Sequence, residues 1–249
     1  MDQRDAERPP QLAADEAGGK ADVRRAGAKK PARYIFIVTY GRSGSTLLQK
    51  IIAEIPGCHM SGENDDALAG LFQTWRSAVV TRTVHGKRKL SDAGEPWRGA
   101  HLVDPDRYNR RLARIFLKEI VRPPLGARWI GFKEIRYFRR HDEDLVPYLD
   151  YIRMTFSPAL LVFNRRCADS VAQSSWWKKH PTDKIVSGLQ RMDEAMEAYA
   201  REHPDACVLL DYDSWSVQPE LLRPLHERLG APFNLARIQK VLARRLTHT

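Results

Sequence analysis

No run of about 18 consecutive apolar residues occurs in the 249-residue sequence, so no membrane span is expected. The stretch after Met1 also lacks an apolar core of signal-peptide type, and secretion by that route is not expected. Cysteine is scarce. Cys58, Cys167 and Cys207 stand far apart, without a CxxC pair or a Cys/His spacing of the zinc-binding kind. A disulfide framework and a metal centre are therefore not expected, and reduced thiols in the cytoplasm are the default. Large apolar residues are almost missing before residue 31. That Ala-, Arg- and Asp-rich opening, with Pro9-Pro10 and Gly18-Gly19, cannot bury enough surface to offset its ordering entropy. Residues 1–32 read as a disordered basic tail and 33–249 as one folded domain. Acidic residues are outnumbered, 31 against 41 Lys and Arg, for a formal charge of +10. The excess favours an anionic partner without choosing among nucleic acid, phosphorylated metabolite and anionic lipid.

Beyond the tail the sequence is patterned. Residues 34–39 form a near-continuous apolar run, the mark of a central strand buried on both faces. A Gly/Ser loop leads into residues 46–55, where Leu47, Leu48, Ile51, Ile52 and Ile55 fall at helical spacing; Pro56-Gly57 stops that helix. Further strands are predicted over 58–60, 129–133, 159–163 and 207–210. Helices are predicted over 65–80, 106–121, 141–153, 168–178, 184–203, 219–229 and 235–244, and a long basic surface loop over 81–104. Strands alternating with helices predict an α/β fold: three layers, with a mostly parallel central sheet and helices on both faces.

In such a sheet a ligand sits outside the carboxyl ends of the strands. At the end of the first strand lie Gly41, Arg42, Ser43, Gly44, Ser45 and Thr46. Glycines let backbone wrap closely around an anion. The helix after the loop turns its amides and positive dipole end toward it. Three hydroxyls and the Arg42 guanidinium complete an anion cradle. This is not a Walker A loop, because Ser45 follows Gly44 where that motif has lysine. The missing lysine counts against an ATPase or kinase. A plain tight turn, with Ser45 as helix cap, is the simpler alternative.

Residues 36–46 resemble the 5'-phosphosulfate-binding loop of sulfotransferases that use 3'-phosphoadenylyl sulfate (PAPS), in which a Lys or Arg precedes Ser-Gly-[ST]-[ST]; Arg42 stands at that basic position. A second element of that family is a strand followed by an Arg, with a Ser eight residues on in a helix, the pair holding the 3'-phosphate. Here it is similar to the strand through Asn164, then Arg166 and Ser174. The family's usual Asn-Pro or Asp-Pro is replaced by Cys167-Ala168, and Arg165 and Ser175 remain rivals. The stretch 208–213, with Tyr212, is similar to the family's late strand that approaches the adenine. The resemblance spans roughly residues 33–242 and implies a P-loop-like sulfotransferase fold. It also implies PAPS as co-substrate and a small hydroxylated acceptor, such as a carbohydrate, reached by in-line transfer without a metal.

Transfer to a hydroxyl needs a base. In several bacterial carbohydrate sulfotransferases it is a Glu just after the second strand, and Glu63 holds the matching place. Asn64 is available to orient the acceptor, and His59 is the rival base. Glu63 also suits a plainer role in the first turn of the next helix, where the dipole favours acids. Lys133, at the end of its strand, could stabilise charge on the bridging oxygen or simply pair with a carboxylate. Of Trp176 and Trp177, one is expected in the core and the other free to wall a pocket. Two other function classes stand beside this one. A kinase-like phosphotransferase would need a Mg²⁺ carboxylate at a strand end, for which Asp211 is the candidate. A basic nucleic-acid-binding protein would leave the anion loop without a purpose, so no nucleic-acid partner is expected.

Overall fold

In the computed structural model, which describes residues 33–90, 92–140 and 144–244, the first apolar run forms β1 (Arg33–Val38). It lies at the centre of a five-stranded sheet ordered β2-β3-β1-β4-β5. The other strands are β2 (Cys58–Ser61), β3 (Trp129–Glu134), β4 (Ala159–Arg165) and β5 (Cys207–Asp211). Every pairing is parallel. The helices are α1 (Ser45–Ala53), α2 (Ala67–Val80), α3 (Pro105–Phe116), α4 (Leu145–Thr155) and α5 (Ala168–Ala172). They continue with α6 (Thr182–Glu202), α7 (Tyr212–Trp215), α8 (Arg223–Arg228) and α9 (Leu235–Leu242).

The side chains of β1 explain why its sequence is apolar without alternation. Successive strand residues face opposite sides, and here both sides are core. Phe36 and Val38 pack with Phe72 of α2, Phe116 of α3, Tyr148 of α4 and Met192 of α6. Ile35 and Ile37 pack with Leu48 and Ile52 of α1, Leu225 of α8 and Ile238 of α9. The three-layer expectation is met. Chain order reverses at β1: the connection through α1 leads to the β3 side, and β4 and β5 lie on the other. The carboxyl end of β1 is therefore the crevice where a doubly wound sheet binds its ligand.

Some stretches depart from the sequence reading. The expected loop over 81–104 begins as a π-helical turn (Thr81–His85) that prolongs α2. His85 then stacks on Trp97 at 3.6 Å between ring centroids. The helix expected over 168–178 is broken. It ends at Ala172, Ser174 is extended, and a 3-10 turn (Ser175–Lys179) comes next. Adjacent residues on an unbroken helix point about 100° apart. The break brings both tryptophans to the glycine loop, where a Cβ on Gly41 would lie 2.5 Å from the Trp176 ring. Trp177 is buried and its Nε1 donates to the Gly41 carbonyl at 3.2 Å. β5 stops at Asp211, whose carboxylate caps α7 by accepting from the Ser214 amide. Tyr212 thus opens a helix and does not end a strand. The predicted helix over 219–229 starts as a 3-10 turn (Pro219–Leu222) before α8. The expected first turn of α4 at 141–143 and the tail 1–32 lie outside the described residues. Among the described residues no helix is long and apolar enough to cross a membrane, and the three cysteines are free.

Candidate active site at the carboxyl end of β1

The loop between β1 and α1 is held from behind through its carbonyl groups. The Gly41 carbonyl accepts from Trp177, that of Arg42 from Arg166 Nη1 at 3.0 Å, and that of Ser43 from Asn164 Nδ2 at 2.7 Å. Oxygens that would repel an anion are tied away, and the loop's N–H groups remain. Arg42 and Gly44 both have left-handed backbone, with φ of 68° and 78°. For Arg42 that conformation is strained, as residues at ligand-gripping turns are. Gly44 is required twice over, because a Cβ there would also sit 2.0 Å from the Tyr212 ring. Gly44 is itself the N-cap of α1, and among the described residues no side chain caps that helix. The expected alternative with Ser45 as cap is therefore corrected. The first amides of α1 carry the positive end of the dipole without a built-in partner.

The hydroxyls divide. Ser45 is buried and Thr46 half-buried at the head of α1. Ser43 is fully buried, and its Oγ lies 2.7 Å from that of Thr39, which also donates to the Asn164 carbonyl. The expectation of a Ser43 hydroxyl facing the ligand is thus wrong, since that group is engaged with the Thr39 hydroxyl behind the loop; its backbone N–H is what it can offer.

Arg42, Arg166 and Ser174, predicted from distant stretches, come together. Arg42 Nε donates to Ser174 Oγ at 3.0 Å. Arg166 lies over the Tyr212 ring, its guanidinium carbon 4.9 Å from the ring centroid, and pairs with Asp213 at 3.3 Å. Ser174 thus meets Arg42 and not Arg166, which a continuous helix at 168–178 would not have suggested. Of the rivals, Arg165 turns away to Glu197 at 3.4 Å and Asp211 at 3.9 Å. Ser175 adopts φ of 51° in the turn. Asp211, the carboxylate a magnesium-dependent phosphotransferase would need, is engaged as the α7 cap and by Arg165.

On the β3 side, Glu63 and Lys133 meet. Lys133 Nζ bonds Glu63 Oε1, and Arg136 Nη1 donates to Oε2 at 3.3 Å. The Lys133 side chain is 5% exposed and that of Glu63 34%. The carboxylate that Lys133 pairs with is therefore Glu63, in the turn after the neighbouring strand β2. Asn64 Oδ1 accepts from the Ala67 amide at the head of α2, while its Nδ2 is buried without a hydrogen-bond partner among the described residues. His59 Nε2 faces the Val121 carbonyl at 3.0 Å, which occupies the rival base.

Glu134 was missed in the sequence. It is buried, and accepts from the amides of Asn64 at 3.1 Å, Asp66 at 2.9 Å and Ile135 at 2.8 Å, and from Arg136 at 3.0 Å. Burial pushes its carboxyl up, but those donors outweigh burial and hold it below the ordinary value. Glu134 fixes the turn that carries Glu63, where Asp65 and Asp66 take left-handed backbone. The available signal was an acidic residue inside an apolar strand, which demands partners.

A sequence model of the sulfotransferase family matches residues 34–234. Among solved structures, the chain is similar to the sulfotransferase domain of the Synechococcus PCC 7002 olefin synthase, at 16% identity over 87% of this chain and 80% of that one, with a TM-score of 0.54. It is also similar to a sulfotransferase from Mycobacterium tuberculosis (16% identity, 86% and 71% coverage, TM-score 0.44) and to thymidylate kinase from Candida albicans (12%, 82% and 96%, 0.42). At such identities the likeness is one of fold. No curated protein sequence matches the chain. The family match runs from β1 past α8 and takes in the glycine loop, the cations gathered on it and the Glu63–Lys133 pair. The chain belongs to the sulfotransferase family.

Proposed function

We propose that the protein transfers a sulfuryl group from PAPS to a hydroxyl of a small acceptor, such as a carbohydrate or another hydroxylated metabolite, and that residues 33–249 carry the activity in the cytoplasm. What carries this reading is the convergence of Arg42, Arg166 and Ser174 on a loop whose carbonyls are tied back and whose helix has no side-chain cap. Such a set fits a ligand with more than one phosphate-like anion, and it supplies no lysine at the Walker position. In this reading Arg42, Ser45, Thr46 and the loop amides from Gly41 to Gly44 hold the sulfate-bearing 5' end. Arg166 and Ser174 hold the 3'-phosphate, and Tyr212 flanks the adenine. No metal is assigned a role.

The acceptor oxygen attacks sulfur as the bond from sulfur to the 5'-phosphate oxygen breaks, releasing adenosine 3',5'-bisphosphate. Glu63 takes the acceptor proton. Both its oxygens accept from cations, so the incoming hydroxyl must replace or share the contact with Arg136. Lys133 then holds Glu63 in place and lies beside the developing charge. Arg42 and the amides neutralise the leaving oxygen.

A thermal-shift series with adenosine 3',5'-bisphosphate, ATP with Mg²⁺, and DNA tests the reading, because a ligand that binds the folded state alone raises the melting temperature. The bisphosphate should stabilise and the other two should not. Arg166→Ala should weaken the bisphosphate by about 2 kcal/mol, the loss of a charged hydrogen bond, and barely change affinity for the analogue without the 3'-phosphate. Equal loss for both in calorimetry overturns the assignment, as does stabilisation by ATP alone.

A further inference from the structure

Tyr40, immediately before the glycine loop, is fully buried, and its hydroxyl makes three close contacts. The Arg166 amide donates to it at 2.8 Å, the Arg166 carbonyl lies 2.9 Å away and Asp193 Oδ2 3.2 Å away. A phenol has one proton to give. It cannot serve the Arg166 carbonyl and an Asp193 carboxylate together. All contacts are satisfied when Asp193 brings a proton of its own. Asp193 then donates to Tyr40, Tyr40 donates to the Arg166 carbonyl, and the Arg166 amide donates to Tyr40. The other Asp193 oxygen, Oδ1, is buried and has no hydrogen-bond partner among the described residues. A charged oxygen left so would be costly, and a neutral carboxyl tolerates it better.

We infer that Tyr40 and Asp193 are positioning residues that hold Arg166 against the glycine loop, and that loss of the Asp193 proton loosens that hold. When Asp193 ionises, Tyr40 turns its proton to the carboxylate and the Arg166 carbonyl loses its donor. The residue whose guanidinium bonds the Arg42 carbonyl and faces Tyr212 is then fixed at one backbone atom instead of two. The charged groups around the carboxyl are Arg165 from β4, Glu197 from α6 itself and Asp211 from β5. Burial first of all, with Asp211 and Glu197 adding to it against Tyr40 and Arg165, pushes the Asp193 carboxyl up to about 7. The proton is thus exchanged in the neutral range. The functional consequence rests on the assignment of Arg166 to the 3'-phosphate.

The test compares the full chain with Asp193→Asn, whose amide can donate to Tyr40 at every pH, and with Tyr40→Phe. Adenosine 3',5'-bisphosphate affinity is measured by calorimetry from about pH 6 to about pH 8.5, a range that spans the neutral carboxyl and its ionised form. The ligand's own titration is common to all three proteins, so the ratio between them is read. Wild type should lose about tenfold relative to Asp193→Asn as pH rises, roughly the worth of one hydrogen bond. Tyr40→Phe should bind weakly even at the acid end of the range. Parallel profiles for wild type and Asp193→Asn overturn the inference. If wild type does not bind the bisphosphate at all, the PAPS reading fails by itself. The positioning device is then read from the backbone amide resonances of Arg166 and Cys167. These should titrate with a midpoint near 7 in wild type and stay still in Asp193→Asn. Resonances that do not titrate in wild type overturn it.

Discussion

Glu63 presents two carboxylate oxygens to two cations, Lys133 and Arg136, and its neighbour Glu134 fixes the turn beneath it. A residue so held serves either as the base or as a strut, and one substitution separates the two. Glu63→Gln keeps the shape and removes the proton acceptor. As the base, it should lose roughly 10² to 10⁴ in turnover with nucleotide affinity nearly intact. As a strut, it should leave turnover alone and lower only the melting temperature. A rate and a melting curve on one variant decide. Asp193 allows a second prediction, about stability. Its folded carboxyl titrates near 7 against an ordinary 3.8. Between these values the folded protein keeps a proton that the unfolded chain has released. Stability therefore falls as pH rises through that window, and the deficit is complete above it. Asp193→Asn should raise stability at about pH 8 by about 4 kcal/mol, the gap between 3.8 and about 7 at about 1.4 kcal/mol per pH unit, and change it little at about pH 4. Equal melting-temperature differences at the two values exclude this account. Residues joined by short spacing, such as Gly41 to Thr46, were legible in the sequence because the chain itself brings them together. The Tyr40–Asp193 and Glu63–Lys133 contacts were not, because only the fold closes such separations.

Among the elements, β4 does more than carry Arg166. Asn164 on it is fully buried and joins three pieces. Its amide donates to the Ser43 carbonyl, its side-chain oxygen accepts from Trp215 Nε1 at 2.9 Å, and its carbonyl accepts from Thr39. The glycine loop, β4 and α7 are clamped through one side chain. Asn164→Ala leaves a buried carbonyl and a buried indole N–H without partners, at about 1–3 kcal/mol each. Urea unfolding should therefore show a loss of about 3 kcal/mol, and bisphosphate binding should fall with it; a loss under about 1 kcal/mol means the clamp is not needed. The alternation of elements was readable because the apolar runs of β1 and β4 reflect burial on both faces, a property of local composition. The end of α5 was not. The helical spacing continues past Ala172 in the sequence, but the pull of Trp177 toward the Gly41 carbonyl and of Trp176 onto Gly41 outweighs it. That contact spans the domain, so periodicity carries no trace of it. The same holds for α7, created by the Asp211 cap after an apolar strand that gave no sign of stopping.

At the scale of the whole molecule, both cores draw, among the described residues, on the chain from β1 to α9. The face built on Phe36 and Val38 and the face built on Ile35 and Ile37 draw their helices from residues 47 onward. β1 is anchored at its start by the Arg33 amide donating to the Arg128 carbonyl at 2.9 Å and the Tyr34 amide to the Pro158 carbonyl at 3.0 Å. The family match likewise begins at residue 34. The expectation is that the folding unit and the proposed site do not need residues 1–30. A chain starting at Pro31 keeps both anchors, both cores and every residue assigned above to PAPS or to the acceptor. Its melting temperature should agree with that of the full chain within about 2 °C, less than the shift a 1 kcal/mol change produces in a domain of this size. Its bisphosphate affinity should be unchanged at moderate salt. Because the tail ends in the basic pairs Arg24-Arg25 and Lys29-Lys30, any contribution it makes to capturing an anionic nucleotide is screened as salt is raised. The comparison is therefore run at low and at high ionic strength. Equal affinities at both confine binding to the folded domain. A deficit in the shortened chain that vanishes at high salt shows the tail steering the ligand, and a lower melting temperature shows that the domain begins before residue 31.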